Sequence, residues 1–308
     1  MPDSGWAPVA QAAPDIEVLE TVSARDLAAS WRADLGIDTG TAFAGLREFR
    51  LCRDPATGRV FFDPPVTGAA ELYRRLRRFH WYRPAHKAEH ASAAQWIPAG
   101  ARVLDIGAGD GRFAAHVPQA RYKGLETDAA AVAAARARGL EVEAATPSRL
   151  ARGAGTFDVV TAFQVLEHVA DPFGFAAAAV DCLADGGLLI LGVPDGESYL
   201  ADLPDFVLNA PPHHVTWWTE AALRHLARDL GLEVVSVERF AVEPWERRLW
   251  WMARVARALA PGRRRRFGRR LRPLKVAAWL LAGVLARLPV RKRAPSGATL
   301  LLVAKRPH

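Results

Sequence analysis

The chain has 308 residues, half of them hydrophobic, and carries a net charge of +8. This length holds one large α/β domain with extensions or two smaller domains, and the apolar content excludes wholesale disorder. Its two cysteines, Cys52 and Cys182, exclude a disulfide framework and a four-cysteine zinc site, and they suit a reducing, cytoplasmic setting.

The opening MPDSGWAPVAQAAPD has no basic stretch followed by an apolar one, so no secretory signal is expected. No run of about 18 apolar residues occurs, so no membrane-spanning helix is expected either. Residues 1–40 read as a weakly patterned lead with a helix near Ile16–Leu35. LREFRLCRDPATGRVFF, residues 46–62, reads as two short strands around a turn at Asp54–Gly58. Residues 68–96 form a helical stretch dense in aromatic and basic side chains, which Pro84 must break or kink.

From Arg102 the pattern becomes short apolar strands alternating with Ala-rich helices. RVLDIG, YKGLE, LEVEAA, FDVVTAFQ, GGLLILGVP, LEVVSVERF and TLLLVAK are the strands. Helices are expected at Arg112–His116, Ala129–Arg138, Pro172–Leu183 and Thr219–Leu230. Strands apolar on both faces, joined by helices, imply a doubly wound, Rossmann-like α/β sheet covered on both sides.

The turn VLDIGAGDGRF puts Asp105, Gly107, Gly109 and Gly111 at the end of the first of these strands. Glycines permit positive φ and close approach of backbone to a ligand, and the helix N-terminus that follows favours a negative group. Glu126 ends the next strand, where an acid can accept both hydroxyls of a ribose. Strand, glycine turn, helix and second strand ending in acid together indicate a nucleotide-like ligand.

The glycine spacing is G-x-G-x-G with an acid two residues before it, not the G-x-G-x-x-G of dinucleotide dehydrogenases. DIGAGDG, GLETD, FDVVTAFQVLEHVADP and LADGGLLILGVP resemble the class I S-adenosylmethionine-dependent methyltransferases, from Arg102 to Phe240 and over the last strand. The resemblance implies a seven-stranded sheet with the last strand antiparallel, and S-adenosyl-L-methionine as cofactor. It implies that Asp105 and the Gly107–Gly111 turn hold the methionine part, that Glu126 binds the ribose, and that Thr146 lies near the adenine. Aspartate is commoner in the Thr146 neighbourhood among related enzymes. Gln164 would face the methionine part or the acceptor.

Methyl transfer is a direct displacement that needs the acceptor atom in line with the methyl group, close and dry. An oxygen acceptor also benefits from a base, most readily histidine. His168 follows the fourth strand, and His213 and His214 lie in PPHHVTWWT after the fifth. These three are the catalytic candidates; structural histidines are the bland reading of each. Tyr82 or His86, beside His90 in the aromatic segment, would touch an acceptor if that segment lids the site. Glu167 reads as a local cap or ion pair. Cys52, in LREFRLC, is similar to the zinc-binding lead of some sugar methyltransferases, but a single cysteine builds no such site, and no metal is expected.

Glu243 to His308 holds 18 Lys and Arg against two acids, while the rest of the chain is net acidic. Within Glu243–Ala298, two helices are expected, Trp245–Leu259 and Leu274–Leu288, around the run RRRRFGRR. Trp245, Leu249, Met252, Ala256 and Leu259 share one helical face. VAAWLLAGVLARL, flanked by arginines, is too short to span a bilayer and suits an interfacial helix on an anionic surface. Packing on the enzyme's own body, dimerisation and nucleic-acid binding are the competing readings, the last disfavoured by the apolar content. The division expected is 1–96 lead and helical lid, 97–242 methyltransferase core, 243–298 basic helical insertion before the last strand, and 299–308 last strand and tail. The function expected is methyl transfer to an oxygen or carbon of a small-molecule, saccharide or lipid-linked acceptor, in the cytoplasm or peripherally at the inner membrane face. The alternatives are a non-catalytic relative that recruits anionic partners through its basic arm, and a nucleic-acid methyltransferase.

Overall fold

The computed structural model describes residues 15–82, 87–147, 156–287 and 296–308. The strands read from the sequence assemble one seven-stranded sheet. Its parallel part contains β4 (Arg102–Ile106), β5 (Arg121–Leu125), β6 (Val142–Glu143), β7 (Phe157–Phe163) and β8 (Leu183–Pro194). Beyond β8 lie β11 (Ser296–Lys305) and then β10 (Glu233–Ala241), in the order β10-β11-β8-β7-β4-β5-β6. β11 runs antiparallel to both neighbours, as the resemblance implies. The sheet is doubly wound: one buried cluster joins Leu104, Val160 and Leu189 to α5 (Pro172–Asp181) and α6 (Glu220–Asp229), and another joins Val103, Val159 and Ile190 to α3 (Ala88–Ala94). Asp171 and Thr219 cap α5 and α6 through hydrogen bonds to backbone amides. The turn after β4 winds as a 3-10 helix, Phe113–His116, and α4 (Ala129–Ala137) follows β5.

The N-terminal lead departs from the sequence reading. Only the second half of Ile16–Leu35 is helical, as α1 (Ala24–Leu35). Glu17–Ser23 is a strand, β1, whose Val18, Thr21 and Val22 pair with β2 (Glu48–Arg53). β-branched residues fit that pleated surface, and Ser23, whose Oγ accepts from the Asp26 amide, starts the helix there. β3 (Val60–Asp63) and the short β9 (Thr216–Trp217) complete a second, antiparallel sheet in the order β1-β2-β3-β9. The two strands expected within residues 46–62 are β2 and β3, and β1 and β9 extend them into a sheet beside the helices of the lid. α2 (Ala70–Leu76) and a 3-10 turn at His80–Tyr82 lead from it toward α3.

The basic insertion forms α7 (Arg247–Leu259) and α8 (Arg272–Leu285), which pack on each other through Ala253, Ala256, Ala278 and Ala282 and on Tyr199 and Leu203 of the body. Met252 and Ala256 are buried as the helical face predicts, but Trp245 and Leu259 are exposed. RRRRFGRR is not a free arm. Phe267 is buried against Phe62 and Trp217, and Glu20 accepts from the amides of Arg266 and Phe267. Buried Glu246 accepts from the amides of Glu243 and Ala298, tying the start of the insertion to its end. Among the described residues, no helix is long and apolar enough to cross a membrane.

Candidate active site

One cavity of about 1640 Å³ opens at the C-terminal ends of β4, β5 and β7, where doubly wound sheets hold their ligands. Its floor is the glycine turn. Gly107, Gly109 and Gly111 all have positive φ. A Cβ at Gly107 would lie 2.4 Å from Val165 and one at Gly111 2.2 Å from Leu140, so the backbone runs where no other residue fits. The Gly109 amide donates to Glu126 at 3.0 Å, and the Asp128 amide donates to the other oxygen of that carboxylate at 2.8 Å. Glu126 therefore fixes the turn while lining the cavity.

Asp105 lies beneath the turn, 2 % exposed, and accepts from the Tyr122 hydroxyl at 2.7 Å and the Thr161 hydroxyl at 2.8 Å. Burial pushes its carboxyl up to about 6, although both hydrogen bonds oppose the shift. Thr146 is exposed at the cavity rim. Gln164 has a positive φ, and its amide donates to Glu89 at 3.1 Å. Glu89, on α3, is buried and pairs with Lys87 at 3.4 Å; burial raises its carboxyl.

The other end of the cavity brings the three catalytic candidates together. The rings of His168 and His213 stand 4.6 Å apart, and those of His213 and His214 stack at 4.4 Å. The turn holding His168 is tied to the His213 loop, since the Val215 amide donates to the Glu167 carbonyl at 2.8 Å. The Tyr82 hydroxyl lies 2.8 Å from His213 Nε2, and Tyr73 meets His168 edge-on. Burial drives His168 down to about 4 and holds His213 and His214 well below the usual histidine range, so all three are neutral at neutral pH. Glu167 is 1 % exposed, and burial pushes its carboxyl up to about 8. Among the described residues it accepts no hydrogen bond from another residue, and its Oε1 lies 3.6 Å from His168 Nε2 and 3.9 Å from His214 Nε2. His90 is buried against Phe113 and Phe163, away from the other three, and His86 lies outside the described residues.

Residues 73–237 match a methyltransferase domain family. The chain is 30 % identical over 176 residues to a ubiquinone biosynthesis O-methyltransferase of Xanthomonas axonopodis pv. citri, covering 51 % of this chain and 72 % of that protein. It is 39 % identical over 101 residues to a protein of the same name from Caulobacter sp. strain K31, covering 30 % of this chain and 40 % of that one. The chain belongs to the S-adenosylmethionine-dependent methyltransferase family. It is an enzyme of that family, with S-adenosylmethionine as its cofactor.

The turn fits that cofactor: Gly107 and Gly109 present backbone without side chains to the cavity, and the Glu126 carboxylate stands at its edge. Sequence reasoning missed Lys87 and Glu89, which this methyltransferase sets against Gln164. The signal present was an acid and a lysine at the start of an otherwise small, apolar helix, KAEHASAA. Glu167 reads from the sequence as a local cap or ion pair, because nothing in QVLEHVADP shows that the PPHHV loop closes over it.

Proposed function

We propose that this methyltransferase moves the methyl group of S-adenosylmethionine to an oxygen of a small amphiphilic acceptor, and that it works peripherally at the cytoplasmic face of an anionic membrane. One observation carries the reading: a single cavity joins Gly107 and Glu126 at one end to His168, His213 and Glu167 at the other, with Trp245, Leu249, Met252, Val276, Trp279 and Leu280 of the insertion along its far side. The polar end suits an acceptor's reacting oxygen, and the insertion's wall suits an apolar remainder. The two relatives named as ubiquinone biosynthesis O-methyltransferases support oxygen as the acceptor atom.

When bound, S-adenosylmethionine supplies an electrophilic methyl group on a sulfonium sulfur. Glu126 would hold the ribose hydroxyls, the Gly107–Gly111 backbone and Asp105 the methionine part, Gln164 the boundary between cofactor and acceptor, and Thr146 the adenine edge. His168, His213 and His214 turn neutral rings toward the acceptor end and form the proton-accepting wall for its hydroxyl. The half-buried Tyr73 and the buried His213 loop restrict water at that end, as a displacement on a sulfonium requires.

The membrane part rests on α8. Val276, Leu280 and Val284 form an exposed apolar stripe at one-turn spacing, flanked by the exposed Arg264, Arg265, Arg269 and Arg270. Val276 and Leu280 also line the cavity, so its mouth opens beside the stripe.

The test is calorimetric titration with S-adenosylmethionine and S-adenosylhomocysteine, with NAD as control, followed by incubation with labelled cofactor and membrane extract. Micromolar binding of the first two, and label in a base-stable methyl ether of an extracted lipid, are expected. Absence of cofactor binding would overturn the reading.

A further inference from the structure

We propose that His168, His213, His214 and Glu167 form a binding site for one divalent transition-metal ion of the zinc type, at the acceptor end of the cavity. One ring nitrogen from each histidine lies within 4.8 Å of the others. The orientation of the rings is what distinguishes this cluster from three packed histidines. His168 Nδ1 lies 2.6 Å from the His213 carbonyl, His213 Nδ1 lies 2.7 Å from the Leu208 carbonyl, and His214 Nδ1 lies 3.2 Å from Asn209 Oδ1. An oxygen of this kind only accepts, so each Nδ1 is the protonated nitrogen and each Nε2 carries a lone pair. Metal-binding histidines are held in the same way, with the second nitrogen donating to a carbonyl or carboxylate.

Glu167 adds an independent observation. Its carboxylate is buried, and neither oxygen is hydrogen-bonded to another residue among those described. Its Oε1 lies 3.6 Å from His168 Nε2 and 3.9 Å from His214 Nε2, beyond hydrogen-bond reach, so neither ring satisfies it. A buried carboxyl so placed stays uncharged until a cation joins the cluster and takes the place of its proton. Three imidazoles and a carboxylate are the donor set of zinc-type ions rather than of magnesium or calcium. Bonds of ~2.0–2.1 Å in a tetrahedral site hold the nitrogens ~3.3–3.4 Å apart, so binding draws the rings together by up to ~1.4 Å and turns the stacked rings of His213 and His214 away from parallel. It also exchanges the hydrogen bond between Tyr82 and His213 for a metal bond.

The cluster lines the cavity, which leaves a coordination position for an oxygen of the acceptor. A cation there polarises that oxygen and lowers the pKa of its hydroxyl, and so takes over from the histidines, whose lone pairs it occupies, the work of freeing the proton. This role rests on the O-methyltransferase reading above, whereas binding of the ion does not.

The experiment titrates the chelator-stripped full-length chain with cobalt(II), follows visible absorption, and runs an S-adenosylmethionine titration alongside. One equivalent of cobalt with the intense bands of a four- or five-coordinate imidazole site, displaced by zinc, is expected. Glu167→Gln and His214→Ala should each weaken the binding by at least tenfold. The weak spectrum of the hydrated ion in the unaltered protein would overturn the proposal whether or not the variants fold. So would a stoichiometric spectrum that persists in both variants. A stoichiometric cobalt spectrum without cofactor binding would uphold the site and overturn only the function proposed above.

Discussion

The two ends of the cavity are built in opposite ways. The cofactor end is built chiefly on one contiguous stretch, Asp105 to Glu126, in which strand, turn and strand each set the next by local geometry, with Thr146 and Gln164 added from later strand ends. The acceptor end draws Tyr82, Glu89, His168, His213 and the insertion helices from distant parts of the chain. A contiguous site is rigid and intolerant of change in its backbone. An assembled site can lose a side chain, and with it activity, while the cofactor still binds. The largest expected effect therefore falls on the turn. Gly107→Val meets both a φ of 75° and a Cβ contact of 2.4 Å with Val165. S-adenosylmethionine affinity should fall more than a hundredfold by calorimetry, and near-normal binding would show that the turn does not carry the cofactor.

At the acceptor end, His168→Gln and His214→Ala should each lower turnover by about a hundredfold, the scale of a lost proton-transfer group. Cofactor affinity should stay within a factor of two. A joint loss of turnover and cofactor affinity would erase the contrast between the two ends.

Asp105 gives a smaller effect that sharpens the comparison, because it serves the cofactor end at a cost to the fold. Its folded pKa of about 6 is raised above the ordinary 3.8 by burial, so the native state binds its proton more readily than the unfolded chain. The cost of the buried charge is fully present above pH 6 and disappears as the pH falls toward 3.8. Asp105→Asn should therefore lose about tenfold in cofactor affinity at pH 7.5 without lowering the melting temperature there. In the unaltered protein, affinity should decline as the pH falls through about 6. A pH-independent affinity between 5 and 7.5 would remove Asp105 from the binding site.

The same contrast explains what could be read from the sequence. The seven strands and the glycine turn were legible because apolar runs and glycine spacing are local signals, and parallel strands buried on both faces carry the strongest of them. β1 reads as helix in the sequence because EVLETVS, at the edge of a small sheet, is half exposed and lacks a clean alternation. β9 has two residues and exists only because β3 lies beside it. His168, His213 and His214 could be named singly, since each follows a strand at the ligand end. Their meeting around Glu167 depends on the pairing of Val215 with the Glu167 carbonyl, a contact between residues far apart in the chain.

The insertion is the region where the two modes of construction meet, and it yields the smallest expected effect. Its inner side is locked into the body by Phe267, Glu246 and the alanines between α7 and α8, so removing it whole would unfold the enzyme rather than detach it from a surface. The outer side can be altered alone. Leu281 and Val284 are 48 % and 63 % exposed and do not line the cavity. Leu281→Asp with Val284→Asp should change stability by no more than about 0.5 kcal/mol per site, as is usual for surface positions. α8, 14 residues long, reaches only ~21 Å, so it would lie along the interface with this face buried. Loss of two apolar contacts and gain of two like charges against anionic lipid should reduce co-sedimentation with phosphatidylglycerol vesicles about tenfold. Methylation of a short, water-soluble acceptor should be unchanged, while methylation of a vesicle-embedded one falls with the binding. Equal sedimentation of the variant and the unaltered protein would leave the stripe without a membrane role and return α8 to a partner within a protein assembly.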